Sequence, residues 1–251
     1  MRISPADIVT LGNGICGLTA IFSIMGGRHM QASLLIFIAF GLDGLDGAVA
    51  RRFGSSHRFG RHVDSISDSI SFCLAPAMLF YANFHQNALR TDQVSLLGFL
   101  VVGSLFIFGV SGLSRLVRFV RRYHTLDYFR GFPLPLAAIS TIMMCSLLGP
   151  GDKNAFSFGY QPYAACVFII CLSFIMTSRI GFPKLNRVFF VAAFIWVPLV
   201  LIPLISAMFN VIILPSKTMG ILEASGFIPI VFYLVCGPFY QIKKSKKLAF
   251  R

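Results

Sequence analysis

The chain has 251 residues, of which 56% are hydrophobic and only 12% charged, and its mean hydropathy is +0.78. A soluble domain carries about 25% charged residues, and a disordered chain has low hydrophobicity; both are excluded, and a polytopic membrane protein remains. The net charge of +13 would suggest nucleic acid in a soluble protein. In a membrane protein it reflects positive charge collected in cytoplasmic loops, so no nucleic-acid partner is expected.

Apolar stretches predict helices at about 9–27, 30–53, 62–84, 94–119, 132–149, 159–178, 186–208 and 221–241. Each is close to the roughly 20 residues needed to cross a bilayer. The expectation is an all-α polytopic protein with about eight transmembrane helices, forming one integral-membrane catalytic domain over 1–251. Pro198 and Pro203 predict a kink in the seventh helix. Helices seven and eight, within about 186–241, carry no recognisable motif. The first ten residues include Arg2, Pro5, Asp7 and Thr10 and are followed by no small-residue cleavage site, so Met1 is expected to stay. Cys16, Cys73, Cys145, Cys166, Cys171 and Cys236 sit in apolar stretches without metal-ligand spacing. They read as small buried hydrophobes.

Eight helices put both termini on one side of the membrane. Of the 22 Lys and Arg residues, only Arg28, Arg90, Lys153 and Lys217 then fall on the other side. That asymmetry makes both termini cytoplasmic. The basic cluster Lys243-Lys244-Ser245-Lys246-Lys247 follows the last helix. It reads either as a topology anchor or as an attraction for anionic lipid headgroups.

The nine acidic residues are more informative. Four of them, Asp43, Asp46, Asp64 and Asp68, fall in the stretch DGLDGAVARRFGSSHRFGRHVDSISD at 43–68. Asp43 and Asp46 are three apart near the end of the second helix and share a face. Asp64 and Asp68 are four apart at the start of the third and also share a face. A short basic loop joins two antiparallel helices, so the four carboxylates can converge near the cytoplasmic interface. Each ionised Asp deep in a membrane helix costs about 2.5–3.5 kcal/mol on the insertion scale. Such residues mark function. Clustered carboxylates need a cation, and hard divalent ions that pair with substrate phosphates suit them. Two such ions can clamp an in-line displacement at phosphorus. Gly47, Ala50 and Gly60 leave space for a ligand beside the carboxylates, or serve helix packing.

The fixed points Asp43-x2-Asp46-Gly47-x2-Ala50-Arg51-x8-Gly60-x3-Asp64-x3-Asp68 resemble the signature of the CDP-alcohol phosphatidyltransferase family at every position. The resemblance implies transfer of a phosphatidyl group from a CDP-linked lipid to an alcohol, with release of CMP. It implies a site for divalent metal, two ions of Mg²⁺ or Mn²⁺, from Asp43, Asp46, Asp64 and Asp68. It implies CDP-lipid contacts from Asp43, Gly47, Ala50, Arg51 and Gly60, and a general-base role for Asp68. It also implies a homodimer among membrane lipids. With the charge asymmetry, the expectation is an integral protein of the plasma (inner) membrane with its active site facing the cytoplasm.

The flanks are similar to the serine-accepting branch of that family, with CDP-diacylglycerol and L-serine as substrates. They are Thr10–Gly17 (TLGNGICG), Ser69–Ala77 (SISFCLAPA), Arg115–Phe119 (RLVRF), Phe129–Pro135 (FRGFPLP) and Met176–Arg179 (MTSR). Departures from the branch pattern are Cys73 for glycine, Val120 for asparagine, and Phe132 within Gly131–Pro135. Arg115 and Arg118 share a helix face. They suit the carboxylate of serine or a phosphate, or they form part of a positive-inside collar. Glycerol 3-phosphate and inositol remain alternative acceptors, and a cation transporter is the alternative of another class. Asn13 lines the nucleotide site or bonds a neighbouring helix. His57 and His62 read as interfacial polar residues.

Overall fold

A computed structural model of the chain describes residues 5–53, 58–90, 94–118, 128–149, 160–183 and 225–249. The helix expected at 186–208 lies outside these residues.

The first helix, α1, spans Pro5–Met25. Pro5 suits a first helical turn, where its missing N–H costs nothing. Gly27, at φ +72°, ends the helix. Arg28 N–H donates to Ser23 C=O at 2.8 Å and Gly27 N–H to Ile24 C=O at 2.9 Å, which is the paired capping pattern of a Schellman turn. Apart from Ile24, the buried face of α1 is small and polar: Ala6, Thr10, Asn13, Gly14, Gly17, Ala20 and Ser23. Its exposed face is large and apolar: Ile8, Leu11, Ile15, Leu18, Phe22 and Met25. This is the reverse of a soluble helix. It suits a helix whose outer face meets lipid and whose small residues let neighbouring backbones come close.

The second helix, α2 (His29–Phe53), runs back along α1 as its most extensive partner. After it come α3 (Arg58–Asp68), a π-helical segment (Ser69–Leu74) and α4 (Ala75–Arg90), which follow one another without a break. The sequence predicts a single helix at 62–84 and gives no sign of the π-helical segment. Ala75 N–H there bonds back to Ile70 C=O, the i→i+5 pattern that shifts helix phase. The remaining elements are α5 (Val94–Arg118), β1 (Tyr128–Arg130), α6 (Leu134–Leu148), α7 (Gln161–Thr177), β2 (Gly181–Pro183) and α8 (Phe227–Ala249).

Among the described residues, four helices are long and apolar enough to cross a membrane: Pro5–Met25, His29–Gly47, His62–His85 and Leu96–Arg118. Leu134–Leu148, Gln161–Thr177 and Phe227–Gln241 are shorter apolar helices. Together they lie where seven of the eight helices are expected. Phe72, Phe80, Ile36, Phe108, Ala137 and Ala138 belong to one buried hydrophobic cluster. Phe99, by contrast, is 77% exposed on α5, as a lipid-facing side chain would be.

The three-residue strands pair antiparallel, with Phe129 opposite Phe182. They are too short to show as a sequence pattern. Gly131 follows β1 at φ +81°, and its N–H donates to Ile180 C=O at 2.8 Å. A Cβ there would overlap the Met176 carbonyl. Gly131→Ala should therefore destabilise the protein by about 2–3 kcal/mol. A melting curve in detergent checks this, and an unchanged midpoint would count against the strain argument.

Candidate active site

Helix spacing delivers the carboxylates in pairs, and the packing of both α2 and α3 against α1 brings the pairs together. Oxygens of Asp43, Asp64 and Asp68 all lie within 4.8 Å of one another. Asp46 stands outside this trio but still exerts its charge on all three. It accepts a hydrogen bond from Thr10 Oγ1 at 2.9 Å, and the same hydroxyl lies 3.0 Å from Ala6 C=O. So three of the four predicted carboxylates form the centre, and the fourth is turned to α1.

All four residues are half-buried. Carboxylates this close repel strongly in a low-dielectric setting. Among the described residues, the cation facing them is Arg115, in the last turn of α5. It is 8% exposed, and its charge acts on Asp68 and Asp43. One guanidinium does not neutralise four carboxylates. The donor set, all hard oxygens around a common point, fits a divalent cation such as Mg²⁺ or Mn²⁺.

Arg115 and Arg118 separate in the structure. Arg115 Nε is buried with no hydrogen-bond partner among the described residues. Arg118 directs Nε to Ser114 C=O at 3.3 Å and Nη1 to Thr177 C=O at 3.1 Å. It thereby ties α5 to the end of α7, while its buried Nη2 has no partner among the described residues. The two guanidinium groups repel each other, so an anion between or beside them would be stabilised.

Several residues of this region escape a reading of spacing alone. A Cβ at Gly60 would stand 2.7 Å from Asp7 Oδ1, so Asp7 faces the space beside Gly60. Asn13 Nδ2 donates to Asp68 Oδ1 at 3.1 Å. Of the two readings open for Asn13, the structure displays the bond to a neighbouring helix. Tyr233, from α8, lies in the neighbourhood of Arg115. Its hydroxyl donates to Pro183 C=O at 2.8 Å, and its ring stacks on Phe182 with centroids 5.6 Å apart. The signal for the α1 residues is the stripe Asp7-x2-Thr10-x2-Asn13-Gly14-x2-Gly17, which puts polar and small residues along one helix face. Tyr233 has no such signal.

Gly47 is half-buried near the end of α2, and Ala50 and Arg51 occupy the last turns of that helix. The side chains of Ala50 and Arg51 lie outside the described residues, as does Val120. Cys73 explains its own departure from the branch pattern: its thiol packs over α5, where a Cβ on Gly112 would stand 3.0 Å from Sγ. The thiol fills space that a glycine on the facing helix leaves open.

Comparison with known proteins identifies the family. The model of the CDP-alcohol phosphatidyltransferase family matches residues 4–220. The CDP-diacylglycerol–serine O-phosphatidyltransferase of Bacillus subtilis is 32% identical over 180 residues, covering 72% of this chain and 90% of the relative. The protein of that name from Helicobacter pylori is 29% identical over 246 residues, covering 94% and 96%. An archaetidylserine synthase of Methanothermobacter thermautotrophicus is 32% identical over 186 residues, covering 73% and 71%. With a membrane-helical fold, the full aspartate signature and a match over most of its length, this chain belongs to the CDP-alcohol phosphatidyltransferase family of enzymes.

Proposed function

We propose that the protein transfers the phosphatidyl group of CDP-diacylglycerol to the hydroxyl of L-serine, giving phosphatidylserine and CMP. The observation that carries this reading is the convergence of Asp43, Asp64 and Asp68 beside a buried arginine whose Nε has no partner among the described residues. The names of the relatives support serine as the acceptor. The two guanidinium groups of Arg115 and Arg118 match what serine has and inositol lacks, a carboxylate.

Asp43, Asp46, Asp64 and Asp68 would hold divalent metal, two ions of Mg²⁺ or Mn²⁺. When bound, the metal supplies positive charge against the pyrophosphate and the charge developing at phosphorus. Asp43, Gly47, Ala50, Arg51 and Gly60 line the place of the cytidine diphosphate. Asp68 accepts the proton of the serine hydroxyl as its oxygen forms a bond to the lipid-side phosphorus. The phosphoanhydride bond breaks, and CMP leaves with the bonding electrons. Arg115 holds the serine carboxylate or the reacting phosphate, and Arg118 assists while fixing α5 to α7. Direct displacement needs no covalent intermediate on the enzyme.

The same reading places eight helices in one domain over 1–251, with both termini and the active site on the cytoplasmic side of the plasma membrane. It includes assembly as a homodimer. The test is CMP release by purified protein from CDP-diacylglycerol and Mn²⁺, with L-serine, glycerol 3-phosphate and inositol offered separately. Release with serine alone is expected. Release with another alcohol would overturn the acceptor, and no release with any of them would overturn the reaction.

A further inference from the structure

Asn13 is fully buried at the middle of the inner face of α1. It is gripped at both ends. Its side-chain Nδ2 donates to Asp68 Oδ1 at 3.1 Å, and its main-chain carbonyl accepts from Ser71 Oγ at 2.9 Å. Asp68 and Ser71 are three residues apart on one continuous helix, so these two bonds close a ring across α1. Ser71 lies in the π-helical segment that starts directly after Asp68. The ring needs the two helices very close together, and two glycines allow it. A Cβ at Gly14 would stand 2.8 Å from Ser67 Oγ, and one at Gly17 would overlap Ser71 Oγ.

The amide has no other task visible in its surroundings. Nδ2 is a donor and cannot ligate a cation. Oδ1 is sealed from solvent and has no partner among the described residues. What the ring does is hold one oxygen of Asp68 in place. A carboxylate so held loses rotamer freedom before substrate arrives, and its second oxygen stays available for chemistry.

The geometry points to Asn13 as a positioning residue for Asp68, held in turn by Ser71. This rests on the reading of Asp68 as base and metal ligand. Loss of the outer hydrogen bond of a ligating carboxylate weakens metal binding, and loss of its orientation slows proton removal.

The test uses the full-length protein and three variants. Asn13→Leu removes the donor and keeps bulk. Asn13→Asp keeps shape and replaces the donor by a second carboxylate. Ser71→Ala removes only the outer anchor. At saturating Mn²⁺, kcat for Asn13→Leu should fall about 10–100-fold, with both KM values within about threefold of the parent. Asn13→Asp should fall further, and Ser71→Ala by a few-fold. In a Mn²⁺ titration followed by electron paramagnetic resonance, Asn13→Leu should bind about tenfold more weakly. A role in packing alone would lower the melting temperature while the folded fraction keeps parental kcat, and that result would overturn the inference. If Asn13→Leu does not fold, Asn13→Asp and Ser71→Ala decide: parental kcat in both overturns it. If the parent releases no CMP, the proposed reaction fails. The Mn²⁺ titration then decides on Asn13 by itself, and unchanged affinity overturns its role.

Discussion

Asp68→Asn is expected to leave a folded protein that no longer turns over, with kcat lower by roughly 10²–10⁴-fold. The substitution keeps the shape of the side chain and its contact with Asn13, since an amide oxygen still accepts from Nδ2. It removes the negative charge that would take the proton of the acceptor hydroxyl. The reduction should fall on kcat, because serine and the CDP-lipid are held by other residues. Melting temperature should stay level or rise, since one of four mutually repelling carboxylates becomes neutral. Steady-state CMP release and a melting curve check both halves. A variant within tenfold of parental kcat would remove Asp68 from the base role.

Chelation is expected to have an effect of similar size. With EDTA, CMP release should drop by at least ~10²-fold and return on adding Mn²⁺. The stability side has a definite sign. Asp43, Asp64 and Asp68 repel one another when no cation lies among their oxygens, so the parent should be least stable in chelator. A ligand at about 100 times its Kd adds about 2.7 kcal/mol, and Mn²⁺ should raise the melting temperature accordingly. Asp43→Asn should reverse the pattern. In chelator it should melt at or above the parent, and Mn²⁺ should add little. A parent that melts at the same temperature with and without Mn²⁺, and is active in EDTA, would defeat the metal reading.

The residues most readily found from the sequence are those whose partners are their own helix neighbours. Asp43 with Asp46, and Asp64 with Asp68, share faces because 3.6 residues make a turn. That periodicity holds before any tertiary contact forms. The apolar stretches likewise predicted α1, α2, the helix around α3 and α4, and α5 within a few residues, since a bilayer leaves the backbone little alternative to a helix. Arg115 was visible as a candidate because it shares a face with Arg118, but spacing could not tell the two apart.

Contacts between helices belong to packing. Asp46 turns to Thr10 and leaves the trio because α1 packs against the helices that carry both aspartate pairs. Arg118 is spent largely on Ser114 and Thr177, whereas Arg115 stays buried facing Asp68. The two differ by less than one turn, and the neighbouring α7 decides which is used. Tyr233 comes into the neighbourhood of Arg115 from a helix without any motif. The π-helical segment and the β1–β2 pair are also tertiary outcomes, too short for a periodic signal. Hydropathy and helix periodicity alone dictate membrane helices with their carboxylates in pairs. The close approach of α1, permitted by Gly14 and Gly17, decided which oxygens meet. Helix periodicity is local, whereas the approach of two helices depends on every side chain between them.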